Sequence, residues 1–244
     1  MAAEFEKLRI EPAYRKVAGA LMERIVGRQL SDGDQLPTEI ELARQFGVNR
    51  STVREAYREL ESRGLLGRRP GSKRMFVTRP QAGHVAAGVS RALVLHDVSF
   101  LDVWEALTIL APPIAETAAR RRTRADLAAI RGVVETYAGE SEATARAVRL
   151  VPEFFTVVGK ATHNPALMLA HEPLIQLLEP TLGAMIYKVP QARARIGTAH
   201  RRIAEAIGEG DAAGAGSWMA KHIRDFRRGY ELAGIDLKRR VPHG

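Results

Sequence analysis

Apolar residues recur at three- and four-residue spacing along most of the chain, and one short stretch breaks that rhythm. Val17, Leu21, Ile25 and Val26 mark a first helix from Pro12 to about Gln29. Pro12 suits a first helical turn, where its missing N–H is not needed. Ser31-Asp32-Gly33-Asp34 signals a turn. A second helix is predicted after Pro37, with Thr38 as its N-cap and Gly47 as its break. A third runs from Asn49 or Ser51 to Ser62, with Ala56 and Leu60 facing inward and Gly64 stopping it. Two strands follow, Leu65 to Arg69 and Met75 to Thr78, about a turn at Pro70-Gly71-Ser72.

Residues 79–97 hold Pro, two Gly, small side chains and two His, and read as a linker. Beyond them the helical period predicts six helices, near 100–120, 124–138, 143–161, 164–187, 191–208 and 211–233. The breaks coincide with Gly139, Asn164-Pro165, Pro190 and Gly208 to Asp211. The tail at 235–244, with Lys238-Arg239-Arg240, is expected to be mobile. The predicted fold is mostly α: a three-helix unit with a β-ribbon over residues 1–78, and an all-helical bundle over 98–234.

Charge sharpens this picture only slightly. Lys and Arg number 37 against 28 Asp and Glu in 244 residues, a net of +9. Residues 1–80 carry 16 against 11, so the N-terminal third is the denser basic region. Such a balance suits DNA, RNA, a membrane surface or plain solubility. Cysteine is absent, which excludes disulfides, thiol catalysis and Cys-ligated zinc. No apolar run reaches 18 residues, so no membrane span is expected. Met1 to Ile10 lacks an apolar core, so no signal peptide is expected and the compartment is read as cytoplasmic. No nucleophile elbow, phosphate loop or metalloprotease motif occurs, and an enzyme is not expected.

Three helices and a ribbon make the winged helix-turn-helix pattern, in which the third helix enters a major groove. That helix carries Arg50, Ser51, Thr52 and Arg54 near its N-terminus, where bases and phosphates would be met. The ribbon turn Gly71-Ser72-Lys73-Arg74 is small and basic, as a wing requires. Periodicity alone leaves DNA reading and a merely solvated basic helix evenly matched.

The sequence also resembles the GntR-type regulators. The carrying residues are Leu36-Pro37-Thr38-Glu39, Glu41-Leu42-Ala43, Gly47-Val48, Arg50-Ser51-Thr52-Val53-Arg54-Glu55-Ala56, Leu60-Glu61 and Gly64-Leu65. The resemblance implies DNA contacts at Asn49, Arg50, Ser51, Thr52 and Arg54, and a wing at Gly71, Ser72 and Lys73, with Arg74 adding a charge. Two positions depart from the pattern. Ile40 stands where relatives often have Arg. Arg74 replaces a wing Gly, so the wing is expected to be reshaped.

The helical remainder resembles the FadR-like subfamily with its FCD ligand domain. Glu105-Ala106, Leu110, Pro112, Ala115, Ala118-Ala119, Arg122-Thr123, Phe154, Asn164-Pro165, His200, Ile203, Gly210-Asp211 and His222 carry that likeness. Six helices lean toward the VanR-like branch. Many FCD domains bind a divalent metal through an Asp and a His one turn apart plus two further His. Here the first pair falls on Val151 and Phe155, and only His200 and His222 persist. Two histidines make a poor divalent site, so a metal there is disfavoured and no cofactor is expected. Nothing in their spacing recommends His163 or His171 over surface or loop roles.

Leu107 and Ala111 likewise replace an Arg and a Glu that relatives often use. Leu107, Ala111, Val151, Phe155, His200 and His222 therefore line either a sealed core or an apolar pocket. Ala111 opens space, which favours the pocket. His200 and His222 fall in apolar stripes and point inward, as core residues or as a polar anchor. The expected function is a homodimeric repressor, released from a palindromic double-stranded operator by a small apolar or lipid-like effector. The alternatives are a metal-assisted carboxylate sensor with a degenerate site and an effector-independent DNA-binding dimer.

Overall fold

The computed structural model describes residues 11–140 and 145–242. The reading of Met1 to Ile10, residues 143 and 144 of a predicted helix, and the last two tail residues lie outside these. The chain divides into two compact units between Gln81 and Ala82.

The first unit holds α1 (Ala13–Val26), α2 (Glu39–Phe46), α3 (Arg50–Ser62), β1 (Leu66–Arg68) and β2 (Met75–Val77). Helix α2 starts where the sequence can satisfy its free N–H groups. Thr38 accepts from the Glu41 amide, and the Glu41 carboxylate accepts from the Thr38 amide at 2.7 Å, a reciprocal capping box. It ends at Gly47 with φ +66°, a left-handed turn that Gly adopts without a steric penalty. The strands pair antiparallel, with Leu66 opposite Val77 and Arg68 opposite Met75. The stretch before α2 joins this ribbon: the Leu36 amide donates to the Met75 carbonyl at 2.8 Å. Val17, Leu21, Leu36, Val53, Ala56, Leu60, Leu66 and Val77 close one core.

The second unit is helical: α4 (Ala82–Leu95), α5 (Phe100–Arg121), α6 (Arg124–Gly139), α7 (Ala145–Lys160), α8 (Pro165–Lys188), α9 (Ala192–Glu209) and α10 (Ala212–Leu232). Helix α5 lies in the middle, packed by α7, α8, α9 and α10. Phe100, Val103, Trp104, Leu107, Ala111, Ile114, Ala115 and Ala118 are all buried along it. Asn164 caps α8 by accepting from the Ala166 and Leu167 amides, and Pro165 follows in the first turn.

Two expectations need correction. Residues 79–97 are not a plain linker, because most of them form α4. Ala86 and Ser90, one turn apart, are buried against α8, and the Ser90 hydroxyl lies 3.0 Å from the Pro173 carbonyl as well as bonding Ala86. Packing outweighs the low helix propensity of Gly83 and Gly88. The described bundle thus has seven helices rather than six, which removes the count behind the VanR-like lean. The tail is not loose either. The Phe100 and Leu101 amides, free at the start of α5, donate to the carbonyls of Arg239 and Leu237, and the Val241 amide donates to Val98. Val241 is buried, and Arg240 pairs with Asp97 at 2.6 Å.

Removing residues 236–244 takes away the buried Val241 and these hydrogen bonds. The unit is expected to lose about 2–4 kcal/mol in urea unfolding. An unchanged midpoint would show that the strap adds nothing.

Candidate functional site

In the first unit four of the nine predicted contact residues line one concavity. Asn49 occupies the N-cap position of α3 but makes no side-chain cap bond. Asn49, Arg50, Ser51 and Arg54 are exposed, and Thr52 is half-buried. Arg50, Arg54, Lys73 and Arg74 line a shared concavity of about 650 Å³ together with Glu39, Ile40, Arg58 and Arg68. Asn49, Ser51, Thr52, Gly71 and Ser72 do not line it.

Tyr57 fixes α3 relative to the segment before α2, donating its hydroxyl to the Pro37 carbonyl at 2.6 Å. Burial pushes this phenol up to about 12. Across the turn, the Glu39 carboxylate accepts from Arg50 Nε at 2.7 Å and from Arg54 Nη2 at 3.2 Å. The Arg54 hydrogen bond, aided by Arg50, holds that carboxyl below the usual range despite partial burial. Sequence reasoning missed Glu39, whose link to both arginines exists only once α2 and α3 are packed.

The wing turn is short. Gly71 takes φ +77°, while Arg74 keeps an ordinary negative φ and donates its amide to the Ser72 hydroxyl. The Arg74 guanidinium turns back to Glu41 at 3.4 Å. Its charge is therefore partly compensated, whereas Lys73 has no ion-pair partner among the described residues.

In the helical unit all six proposed effector residues are buried. His200 stacks on Phe154 with centroids 3.8 Å apart, and His222 lies parallel to Phe155 at 5.6 Å. The two imidazoles meet edge to face at 4.9 Å. Among the described residues, neither ring nitrogen of His200 has a hydrogen-bond partner, nor does Nε2 of His222. His171 joins them, buried 5.7 Å from Phe155 with Nε2 unpartnered, which corrects its reading as a surface or loop residue. The signal was present in its stripe with Leu174, Ile175 and Leu178. His163, by contrast, sits at the surface against Asp126 at 2.7 Å. Burial lowers His171 to about 4 and His222 to about 3, and with the neighbouring His222 it pushes His200 well down.

Two small voids of about 20 Å³ each flank Phe226. Leu107, Val151 and Phe155 line one, and His222 lines the other. Ala111 and His200 line neither.

Residues 13–75 match the bacterial regulatory proteins of the gntR family, and residues 102–225 match the FCD domain. The chain belongs to the gntR family, in its FadR-like, FCD-containing subfamily. The regulator is 26% identical over 235 residues to the Uxu operon transcriptional regulator of Escherichia coli, covering 91% of this chain and 89% of that one. It is 27% identical to the transcriptional repressor NanR of Salmonella newport, over 70% of this chain and 68% of that one. A solved structure of a Streptococcus agalactiae GntR protein covers 88% of this chain and 99% of its own, at 26% identity and a TM-score of 0.64. The protein is a ligand-responsive transcriptional regulator and not an enzyme. Among the described residues, no helix is long and apolar enough to cross a membrane.

The metal that many FCD domains hold does not fit these residues. Val151 offers no donor, and the Phe155 ring lies against the face of His222. Among the described residues no three His, Cys, Asp or Glu side chains converge on a point.

The buried histidines make stability depend on pH. Folding keeps His171 neutral down to about pH 4, whereas an unfolded His takes a proton below about pH 6.5. Stability is therefore full above pH 6.5 and falls as pH drops toward 4. His171→Leu should gain about 2 kcal/mol relative to the native chain between pH 7 and pH 5. Urea unfolding at the two pH values tests this, and an equal difference at both would refute the neutral ring.

Proposed function

We propose that the regulator is a homodimeric repressor that reads a palindromic double-stranded operator with α3 and its wing. The observation that carries this is the concavity in which Arg50, Arg54 and Lys73 converge. Arginine forks match the acceptors of guanine in the major groove, and a wing lysine suits the phosphate backbone. The helix N-terminus adds attraction for phosphate near Asn49, Ser51 and Thr52. Arg74 serves the wing as a bridge to α2. A repressor role is supported by the name of the Salmonella relative. Two copies would present two readers to two half-sites.

The effector is proposed to be a small, largely apolar molecule taken up around Phe155 and Phe226. The lining beside Phe155 contains no ionic side chain, so a permanent charge would be desolvated there without a partner. A neutral imidazole offers one donor and one acceptor, and both ring nitrogens of His200 and the Nε2 of His222 have no partner among the described residues. Voids of about 20 Å³ hold no such ligand as they stand. Entry therefore requires the Phe155 and Phe226 rings to move, and that displacement is the proposed link between binding and altered operator affinity.

Arg50→Ala or Arg54→Ala should each cost about 1–3 kcal/mol in specific binding. Lys73→Ala should weaken all sequences alike and reduce the salt slope by about one. Gel-shift titration against a duplex selected from a random library measures both, and unchanged binding in both arginine variants would count against α3 as reader.

A thermal-shift panel of medium- and long-chain fatty acids, a sterol, a terpenoid and short polar acids tests the effector class. An apolar member should raise the melting temperature by several degrees at saturation, because it binds only the native state. Stabilisation by polar acids alone would overturn the apolar reading.

A further inference from the structure

We infer that Glu39 is a specificity-determining residue of the DNA face: one carboxylate holds the Nε edges of both Arg50 and Arg54 and so aims their outer forks at base edges. This rests on the DNA-reading role proposed above and goes beyond it.

The geometry is specific about which nitrogens are used. Arg50 gives Glu39 only its Nε, at 2.7 Å. Arg54 gives Nε at 3.2 and 3.4 Å and Nη2 at 3.2 Å. A guanidinium carries five N–H donors in a plane. Contacts along the Nε edge leave the opposite pair, one hydrogen each on Nη1 and Nη2, open for a two-pronged bond to guanine O6 and N7. The arginine side chains stay 59% and 45% exposed, so their free ends face solvent, while Glu39 beneath them is 22% exposed.

A long arginine on a bare helix samples many rotamers and loses that freedom on binding. Tying both stems to one carboxylate removes much of this loss before DNA arrives. An anion on a phosphate-facing surface is otherwise unfavourable, and here two cations cover it. A carboxylate serving only the α2 N-terminus would be indifferent to base sequence. A carboxylate serving only as a decoy for the arginines would weaken binding to every duplex.

The experiment enriches a library of random 20-base-pair duplexes on the native full-length chain. The winning duplex and a scrambled duplex are then titrated against the native chain, Arg50→Ala, Arg54→Ala and Glu39→Gln. Melting temperatures confirm that each variant is folded. For Glu39→Gln the expected result is weaker binding to the selected duplex with equal or tighter binding to the scrambled one. The ratio should fall about tenfold, with lost preference at the guanines that the arginine variants also lose. An unchanged ratio for Glu39→Gln, beside a reduced ratio for either arginine variant, would overturn the inference and leave the reading helix intact. Tighter binding of Glu39→Gln to both duplexes at a constant ratio would likewise overturn it. Failure to enrich any duplex, or unchanged ratios in both arginine variants, would overturn the DNA-reading role and this inference with it.

Discussion

Permanent charge is excluded from the centre of the helical unit, and most of its organisation follows from that. Among the described residues no Asp, Glu, Lys or Arg is buried in either unit. The polar side chains admitted are Ser90, Thr162 and three histidines, beside the polar ends of Trp104, Tyr137 and Tyr230. Hydroxyls enter because each can return a hydrogen bond to a nearby carbonyl, as Thr162 does to Gly159. Histidine enters because its neutral form is accessible near neutrality, whereas Asp would have to take up a proton and Arg to lose one at far greater cost. His200 and His222 then pack as aromatic rings, stacked on Phe154 and Phe155 and edge-on to each other, while His171 lies tilted against Phe155.

The opposite rule governs the winged unit, where charge is kept at the surface and arranged. Each cation there retains water, so individual ion pairs contribute little to stability. Their value lies in orientation. Glu39 spans from the first turn of α2 to two successive turns of α3, while Tyr57 ties α3 to the segment before α2 and the Thr38 capping box fixes where α2 starts. Apolar packing beneath, through Val53, Ala56 and Leu60, makes the platform stiff enough for such placement to matter.

Much of this was legible from the sequence, because periodicity and caps are local properties. Each predicted helix from 100 to 233 matches an observed one within about two residues, and Thr38, Gly47 and Asn164 act as read. The inward direction of His200 and His222 followed from their spacing. What escaped was relational. Ser90 looks like a linker residue until α8 supplies a carbonyl for it. His171 lies on an apolar stripe, but its meeting with Phe155 depends on how α7 and α8 cross. Glu39 lies eleven residues before Arg50, and Arg74 finds Glu41 only because the wing folds back. The size of the voids was equally hidden, since replacing polar side chains by Leu, Ala, Val and Phe does not reveal how neighbours close in.

The strap after α10 has a further consequence for how the chain meets proteases. Lys238, Arg239 and Arg240 form three consecutive trypsin sites with exposed side chains. A protease must draw several residues of free backbone into its cleft, and here that backbone is bonded to the start of α5 through Leu237 and Arg239 and to Val98 before it through Val241. Cleavage at this tribasic stretch is therefore governed by how often the strap lifts off, and its rate becomes a clock for local opening at the end of the helix on which α7, α8, α9 and α10 pack.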